Sequence, residues 1–165
     1  MSPRKSTTQA TPADAPVAND ATGITPKADS ATPLYVASLG VRWRDLDAFN
    51  HVNNSNFLTY LEEARLQWLQ NVRDWFSEES MPVLAASELQ YRRPIEWPAS
   101  LHIELRCTRL GNSSMTIAHR IVDADDTNRV YSDGHVVMVW MNPATGKPVS
   151  LPATIRAAAA VHPGG

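Results

Sequence analysis

Arg42 to Arg65 reads RWRDLDAFNHVNNSNFLTYLEEAR, and three kinds of structure meet inside it. Its first residues end a strand. Val41 and Trp43 alternate with Arg42 and Arg44, the period-two signal of a half-buried strand running over Leu34 to Arg44. Asp45 to Asn54 is loop by composition, rich in Asp and Asn. From Ser55 the period changes. Phe57, Leu61, Ala64, Trp68, Val72 and Trp75 recur at steps of three and four, and Leu58, Leu69 and Phe76 widen that stripe. The spacing predicts a helix from Ser55 to Phe76, capped by Asn54 or Ser55. Ser77 to Met81 breaks it and Pro82 closes it. A helix this apolar needs a broad surface against it.

The rest of the chain supplies that surface. Pro82 to Arg93, Leu101 to Thr108, Ser113 to Asp123 and Arg129 to Met141 read as four strands. Leu101, Ile103, Leu105 and Cys107 fall on one face of theirs. Gly111-Asn112 is a hairpin signal between two of them. The run VVMVW in the last is apolar on both faces, as in a strand central to its sheet. LPATIRAAAAV at the end allows a short helix. The order is strand, long helix, four strands. That is α+β, a five-stranded antiparallel sheet with the helix on one face. The helix's other side would need a second subunit or a ligand.

At 165 residues the chain suits one core. Met1 to Pro33 is Ala, Thr, Pro, Ser and Asp with almost no large apolar side chain, so it is expected to be a disordered tail before a domain over 34–165. A net charge of -2 argues against a nucleic-acid binder. The single cysteine, Cys107, excludes an intrachain disulfide and makes the cytoplasm the expected compartment. No apolar run is long enough to span a bilayer, and Arg4-Lys5 is not followed by the apolar stretch of a secretory signal.

Reactive groups are densest between Asp45 and Asn56. A carboxylate close to a helix start, such as Asp47, is kept ionised by the local dipole and N–H groups, and can activate water or attack a carbonyl. The same position suits an acid that only caps a loop. His51 fits a base, a ligand or a loop hydrogen-bonder. No His pair at i, i+4 spacing supports a metal, and neither metal nor cofactor is expected. Glu62 and Glu63 are helix acids, and Glu63 is an alternative carboxylate. Arg92 and Arg93, in Tyr91-Arg-Arg-Pro94, suit phosphates or a solvated strand end. His102, His119 and His135 fall on strands, where a structural role is expected, and Cys107 reads as an inert core thiol. The chain lacks G-x-x-x-x-G-K-[ST], G-x-G-x-x-G and G-x-S-x-G, so nucleotide hydrolysis, dinucleotide binding and a serine-hydrolase elbow have no support.

The block Asp47-Ala-Phe-Asn-His51-Val-Asn53-Asn54, with Tyr60-Leu-Glu62-Glu63-Ala-Arg65 and Tyr91-Arg-Arg-Pro94, resembles the hotdog-fold acyl-CoA thioesterases. The branch is that of 4-hydroxybenzoyl-CoA thioesterase and its long-chain acyl-CoA members. The resemblance runs from about Val36 to Val149. It implies a long central helix wrapped by the antiparallel sheet. It also implies subunits paired edge to edge as a homodimer or dimer-based homotetramer, with the active site between them. Asp47 would then be the catalytic carboxylate, with His51 as a possible participant. Asn54, Ser55 and Asn56 would polarise the thioester carbonyl, and Arg92 and Arg93 would bind CoA. The expected reaction is hydrolysis of fatty acyl-CoA to free acid and CoA. Hydrolysis of acyl carrier protein thioesters, or acyl-CoA binding without catalysis, are the alternatives. The chain departs from related patterns in three places. Asn54 stands where some members have a second catalytic His. The Gly-rich loop that accompanies a helix Glu is missing. Asp47 and His51 are one residue too close for the hydratase pattern.

Overall fold

The computed structural model describes residues 33–160. The expected tail therefore lies outside the described residues except for Pro33. Six strands and two α-helices follow in order: β1 (Tyr35–Gly40), α1 (Asn54–Gln70), β2 (Met81–Tyr91), β3 (Ser100–Leu110), β4 (Ser114–Asp123), β5 (Val130–Asn142), β6 (Lys147–Pro148) and α2 (Ala153–Ala160). A 3-10 turn over Trp43–Asp45 separates β1 from the loop before α1. The sheet is antiparallel in the order β1-β3-β4-β5-β2, with β6 paired to β5. This is the expected α+β hotdog arrangement, one two-residue strand larger than the five-stranded sheet read from the sequence.

The alternation in the strands becomes two faces. Leu101, Ile103, Leu105 and Cys107 of β3, and Met115, Ile117 and Ile121 of β4, are buried under α1. Phe57, Leu61, Ala64 and Trp68 of α1 meet them, each 3% exposed or less. A buried side chain of this size contributes about 1.5–3 kcal/mol, so this stripe against the sheet carries much of the stability. Gly111 N–H donates to the Ser114 carbonyl at 2.8 Å and closes the β3–β4 hairpin at the expected turn. The VVMVW run forms the inner part of β5, between β4 and β2. Burial pushes the Cys107 thiol pKa up, as befits a core thiol.

Three boundaries differ from the sequence reading. β1 ends at Gly40, and Trp43, placed inside by alternation, is 74% exposed. The Asp45 carboxylate accepts from Arg42 N–H and Nε and turns the chain there. The helix is capped by Asn53, not by Asn54 or Ser55: Asn53 Oδ1 accepts from Ser55 N–H at 3.0 Å. Finally, α1 stops at Gln70, not Phe76. Asn71 Nδ2 bonds the Gln67 carbonyl at 2.7 Å, and Asp74 takes a left-handed φ of 49° that no helix continues through. Val72 and Trp75 still pack against the core, but from beyond the helix, while Phe76 is 52% exposed. Trp140 Nε1 donates to the Trp75 carbonyl at 2.9 Å and pins that loop.

Candidate active site

The loop between β1 and α1 hangs on Asp45. This acid is 4% exposed. Its Oδ2 accepts from Arg42 N–H (3.2 Å), Arg42 Nε (2.9 Å) and the Tyr60 hydroxyl (2.7 Å). Its carbonyl oxygen accepts from Asn53 N–H at 2.9 Å and Asn56 Nδ2 at 2.8 Å. The 3-10 turn, the helix cap and the second turn of α1 are thus tied to one residue. Burial opposes ionisation of Asp45, but the hydrogen bonds from Arg42 and Tyr60 outweigh it and hold the carboxyl below its usual range. Burial, followed by the bond to Asp45, pushes the Tyr60 phenol well above its ordinary value. The sequence reading did not pair these two residues. The one signal was a Tyr on the buried face of a helix, since a buried phenol needs an acceptor.

Asp47 follows two residues later, half-buried. Its Oδ1 accepts from Phe49 N–H at 2.8 Å and His51 N–H at 3.2 Å, while its own N–H donates to the His51 carbonyl at 2.7 Å. Asn50 closes this tight loop with φ of 62°, a conformation Asn tolerates better than most residues. Loop capping by Asp47 is therefore observed. It engages one carboxylate oxygen and leaves Oδ2 without a hydrogen bond among the described residues.

Of the three residues expected to polarise a carbonyl, two have their amides occupied. Ser55 N–H bonds Asn53 Oδ1, and Asn56 N–H bonds the Asn53 carbonyl at 2.8 Å. Asn54 N–H has no acceptor among the described residues and opens the helix toward the loop. It carries the partial positive charge of a helix start. Tyr91 of β2 donates to the Asn54 carbonyl at 3.1 Å and packs edge-on against Phe57, with ring centroids 5.1 Å apart. β2 therefore reaches this same end of α1.

The remaining candidates spread out. His51 sits in the Asp47 loop, bridged to Glu96 through the backbone, with Nε2 3.8 Å from Glu96 Oε1. Glu63 is exposed and accepts from Gln67 Nε2 at 3.1 Å on the helix surface. The two arginines part company. Arg92 forks onto Asp133, Nε to Oδ1 at 2.6 Å and a terminal nitrogen to Oδ2 at 3.2 Å. Arg93 lines a cavity instead. His119 of β4 is 2% exposed beneath α1, and neither ring nitrogen has a partner among the described residues. Burial, reinforced by the charge of Arg65, lowers its pKa to about 4. Among the described residues no three His, Cys, Asp or Glu side chains gather as a metal site would need.

Two cavities open among the described residues. One of about 710 Å³ opens at the end of the sheet where α1 begins, with walls that include Val41, Arg93, Glu96, Asp123, Arg129 and Tyr131. The other, of about 260 Å³, lies between the second half of α1, the loop after it and β2. It is lined by Arg65, Leu66, Leu69, Phe76, Met81 and Leu84 among others. A carboxylate and an open helix N–H thus stand at one end of α1, an apolar cleft runs along the helix's second half, and the polar cavity adjoins the Asp47 loop through Glu96, whose backbone bridges His51.

Comparison with known proteins gives a consistent result. Residues 41–159 match the family described as the Thioesterase-like superfamily. The long-chain acyl-CoA thioesterase FadM of Escherichia coli is 28% identical over 119 residues, 70% of this chain and 89% of that protein. Among solved structures, the PA2801 protein of Pseudomonas aeruginosa is 37% identical with a TM-score of 0.73, covering 77% of this chain and 98% of that one. A Thermus thermophilus thioesterase complexed with coenzyme A and Zn is 33% identical with a TM-score of 0.66, covering 78% of this chain and 94% of that one.

Proposed function

This chain belongs to the thioesterase-like superfamily, and from that premise we propose that it hydrolyses fatty acyl-CoA thioesters with Asp47 as the reactive carboxylate. The observation that carries the reading is the division of labour at Asp47. Oδ1 is fixed by two backbone N–H groups, and Oδ2 is left for chemistry. Asp47 takes the proton of a water as its oxygen adds to the thioester carbonyl, or attacks that carbon itself. Negative charge then develops on the carbonyl oxygen, where the Asn54 N–H is the available donor. Breaking the C–S bond then releases CoA. In the water route its thiolate takes the proton Asp47 gained, and the free acid is left. In the direct route the acyl group is left as an anhydride on Asp47, which a water hydrolyses to the free acid while the thiolate takes that water's proton. A thioester is already activated, so one ionised carboxylate and an oriented donor suffice. The apolar cleft along α1 suits the acyl chain, and the relationship to FadM favours a long one. Release of free thiol from palmitoyl-CoA by the wild type and by Asp47→Asn tests this. Equal release by both would move the chemistry away from Asp47.

We further propose a homodimer built on β2, alone or as half of a tetramer. One edge of β2 pairs with β5, and its other edge has no strand beside it among the described residues. Met81, Val83, Leu84 and Tyr91 on it are 42–52% exposed, as are Leu58 and Leu66 on the neighbouring side of α1 at 46% and 42%. A long apolar edge of this kind needs a cover. A second β2 across a two-fold axis provides one, and it closes the apolar cleft at the same time. Among the described residues no helix is long and apolar enough to cross a membrane, and the cytoplasm is the proposed compartment.

A further inference from the structure

The cleft of about 260 Å³ between α1 and β2 has Leu66, Leu69, Leu84 and Met138 among its walls, and its charged residues are Glu62 and Arg65. These two differ. Glu62 is exposed to solvent. Arg65 is 9% exposed and makes no hydrogen bond or ion pair among the described residues. Burial pushes its guanidinium pKa below the ordinary value, and the Glu62 charge one turn earlier opposes that shift without pairing. On the sheet side the charge of Arg65 is felt at His119, where it reinforces burial in keeping the imidazole neutral. A buried cation without a partner is costly to a fold.

Arg65 also stands on the path an acyl chain would take. β2 runs alongside α1. Its last residue, Tyr91, donates to the Asn54 carbonyl, and its first, Met81, lines the cleft. A chain that starts at the Asn54 N–H and lies between α1 and β2 therefore enters the cleft and meets Arg65. The two residues are eleven apart on one helix, about 16 Å along its axis. That is the reach of an extended alkyl chain of roughly a dozen C–C bonds of ~1.5 Å each.

An apolar pocket with a single buried polar group is the form that orients a ligand and sets its specificity. Guanidinium nitrogens are donors only, so the partner Arg65 lacks is an acceptor oxygen. We propose that Arg65 selects acyl chains that carry a hydroxyl or carboxylate oxygen near their far end, about a dozen carbons from the thioester, over chains that end in a methyl group. The proposal rests on the thioesterase reading and narrows its substrate. A methyl-ended chain fills the cleft and leaves the guanidinium unpaired. An oxygenated chain pairs with it, and a carboxylate takes two of its N–H groups at once. A site with buried donors rejects the analogue lacking the matching oxygen more strongly than an apolar pocket rejects one methylene. Glu62 ranks the two oxygens, since its negative charge opposes a carboxylate and spares a hydroxyl.

The test uses the full chain and three CoA thioesters of one length: dodecanoyl, ω-hydroxydodecanoyl and the monothioester of dodecanedioic acid. In the wild type, kcat/KM is expected to be at least tenfold higher for one or both oxygenated chains than for dodecanoyl. In Arg65→Met that ratio is expected to fall at least tenfold, with kcat/KM for dodecanoyl-CoA rising. Thermal melts check folding, and light scattering is expected to find the oligomer unchanged. Should Arg65→Met fold poorly, Arg65→Lys, which keeps the charge and loses the fork, supplies the second ratio, and the wild-type ranking needs no variant. A wild type that takes the plain chain as well as both oxygenated ones, or better, overturns the proposal. So does a ratio unmoved by either variant. Dissociation of the oligomer in Arg65→Met also overturns it, because the guanidinium then belongs to a subunit contact. The S-alkyl-CoA thioethers with the same three tails, which cannot be hydrolysed, are titrated into the wild type by calorimetry. If no thioester is cleaved, the thioesterase reading fails, and this arm still decides the selection: weaker binding of the plain tail upholds it and equal binding overturns it.

Discussion

The Tyr60 hydroxyl donates to Asp45 Oδ2 at 2.7 Å, across fifteen residues of sequence. This bond joins the second turn of α1 to the turn that presents Asp47. It is buried, and its acceptor is an ionised acid that also holds Arg42. Tyr60→Phe removes one of three bonds to that oxygen, and a bond to a charged group is worth about 1.5–3 kcal/mol. We expect a lower melting temperature together with a fall in kcat at nearly constant KM, since Asp47 is displaced and the acyl and CoA contacts are untouched. Asp45→Asn should be worse in both respects. An effect confined to melting temperature, with kcat preserved at a temperature where the variant is folded, would show that the bond holds the fold alone.

Asp47→Asn should reduce kcat by roughly 10²–10⁴-fold, the range for a lost acid–base group. The loop should survive, because Asn Oδ1 can still accept from Phe49 and His51 N–H. KM should stay within a small factor. Steady-state kinetics beside a thermal melt separate the two effects. A variant that melts early as well as turning over slowly would assign Asp47 a structural duty first.

His119 makes stability pH-dependent. Its folded pKa of about 4 lies below its ordinary 6.5, so between those values the unfolded chain binds the extra proton. Stability from this group is fully present above pH 6.5 and is lost as pH falls toward 4, by about 3 kcal/mol. Denaturant unfolding at several pH values should show His119→Leu losing less stability than wild type across that window. Parallel curves for the two proteins would refute the assignment.

Leu84→Lys places a charge on the exposed apolar edge of β2, where we place the subunit contact. Light scattering should find the wild type dimeric or larger at micromolar concentration and the variant shifted toward monomer, with activity falling in step. A fully active wild-type monomer would remove the edge-to-edge arrangement.

The fold was legible because its two periods are clean. The three-and-four spacing from Phe57 to Trp68 and the alternation from Leu101 to Cys107 each put one face into the core. The motif loop was legible for the same reason that it is polar: nothing else there competes for the chain. Trp43 misled because alternation carries no information about the turn that Asp45 imposes. Trp75 misled because its apolar contact persists after the helix has ended, so spacing alone counts it as helical. Arg92 and Arg93 were indistinguishable in sequence, and only the register of β2 on β5, with Asp133 beside Arg92, sends one outward and the other to a cavity. Asp45 and Tyr60 meet through tertiary placement that no local pattern encodes.

The loop after α1 that supplies Trp75 and Phe76 is a wall of the apolar cleft, and it hangs from the opposite end of the helix to Asp47. Seventeen residues of helix keep the two about 25 Å apart. Insertions or deletions in the loop can therefore lengthen, shorten or reshape the cleft while the Asp47 hairpin, its cap and its buried tether stay as they are. Divergence among descendants of this scaffold has a separate place to act on what is accepted and on what is done to it.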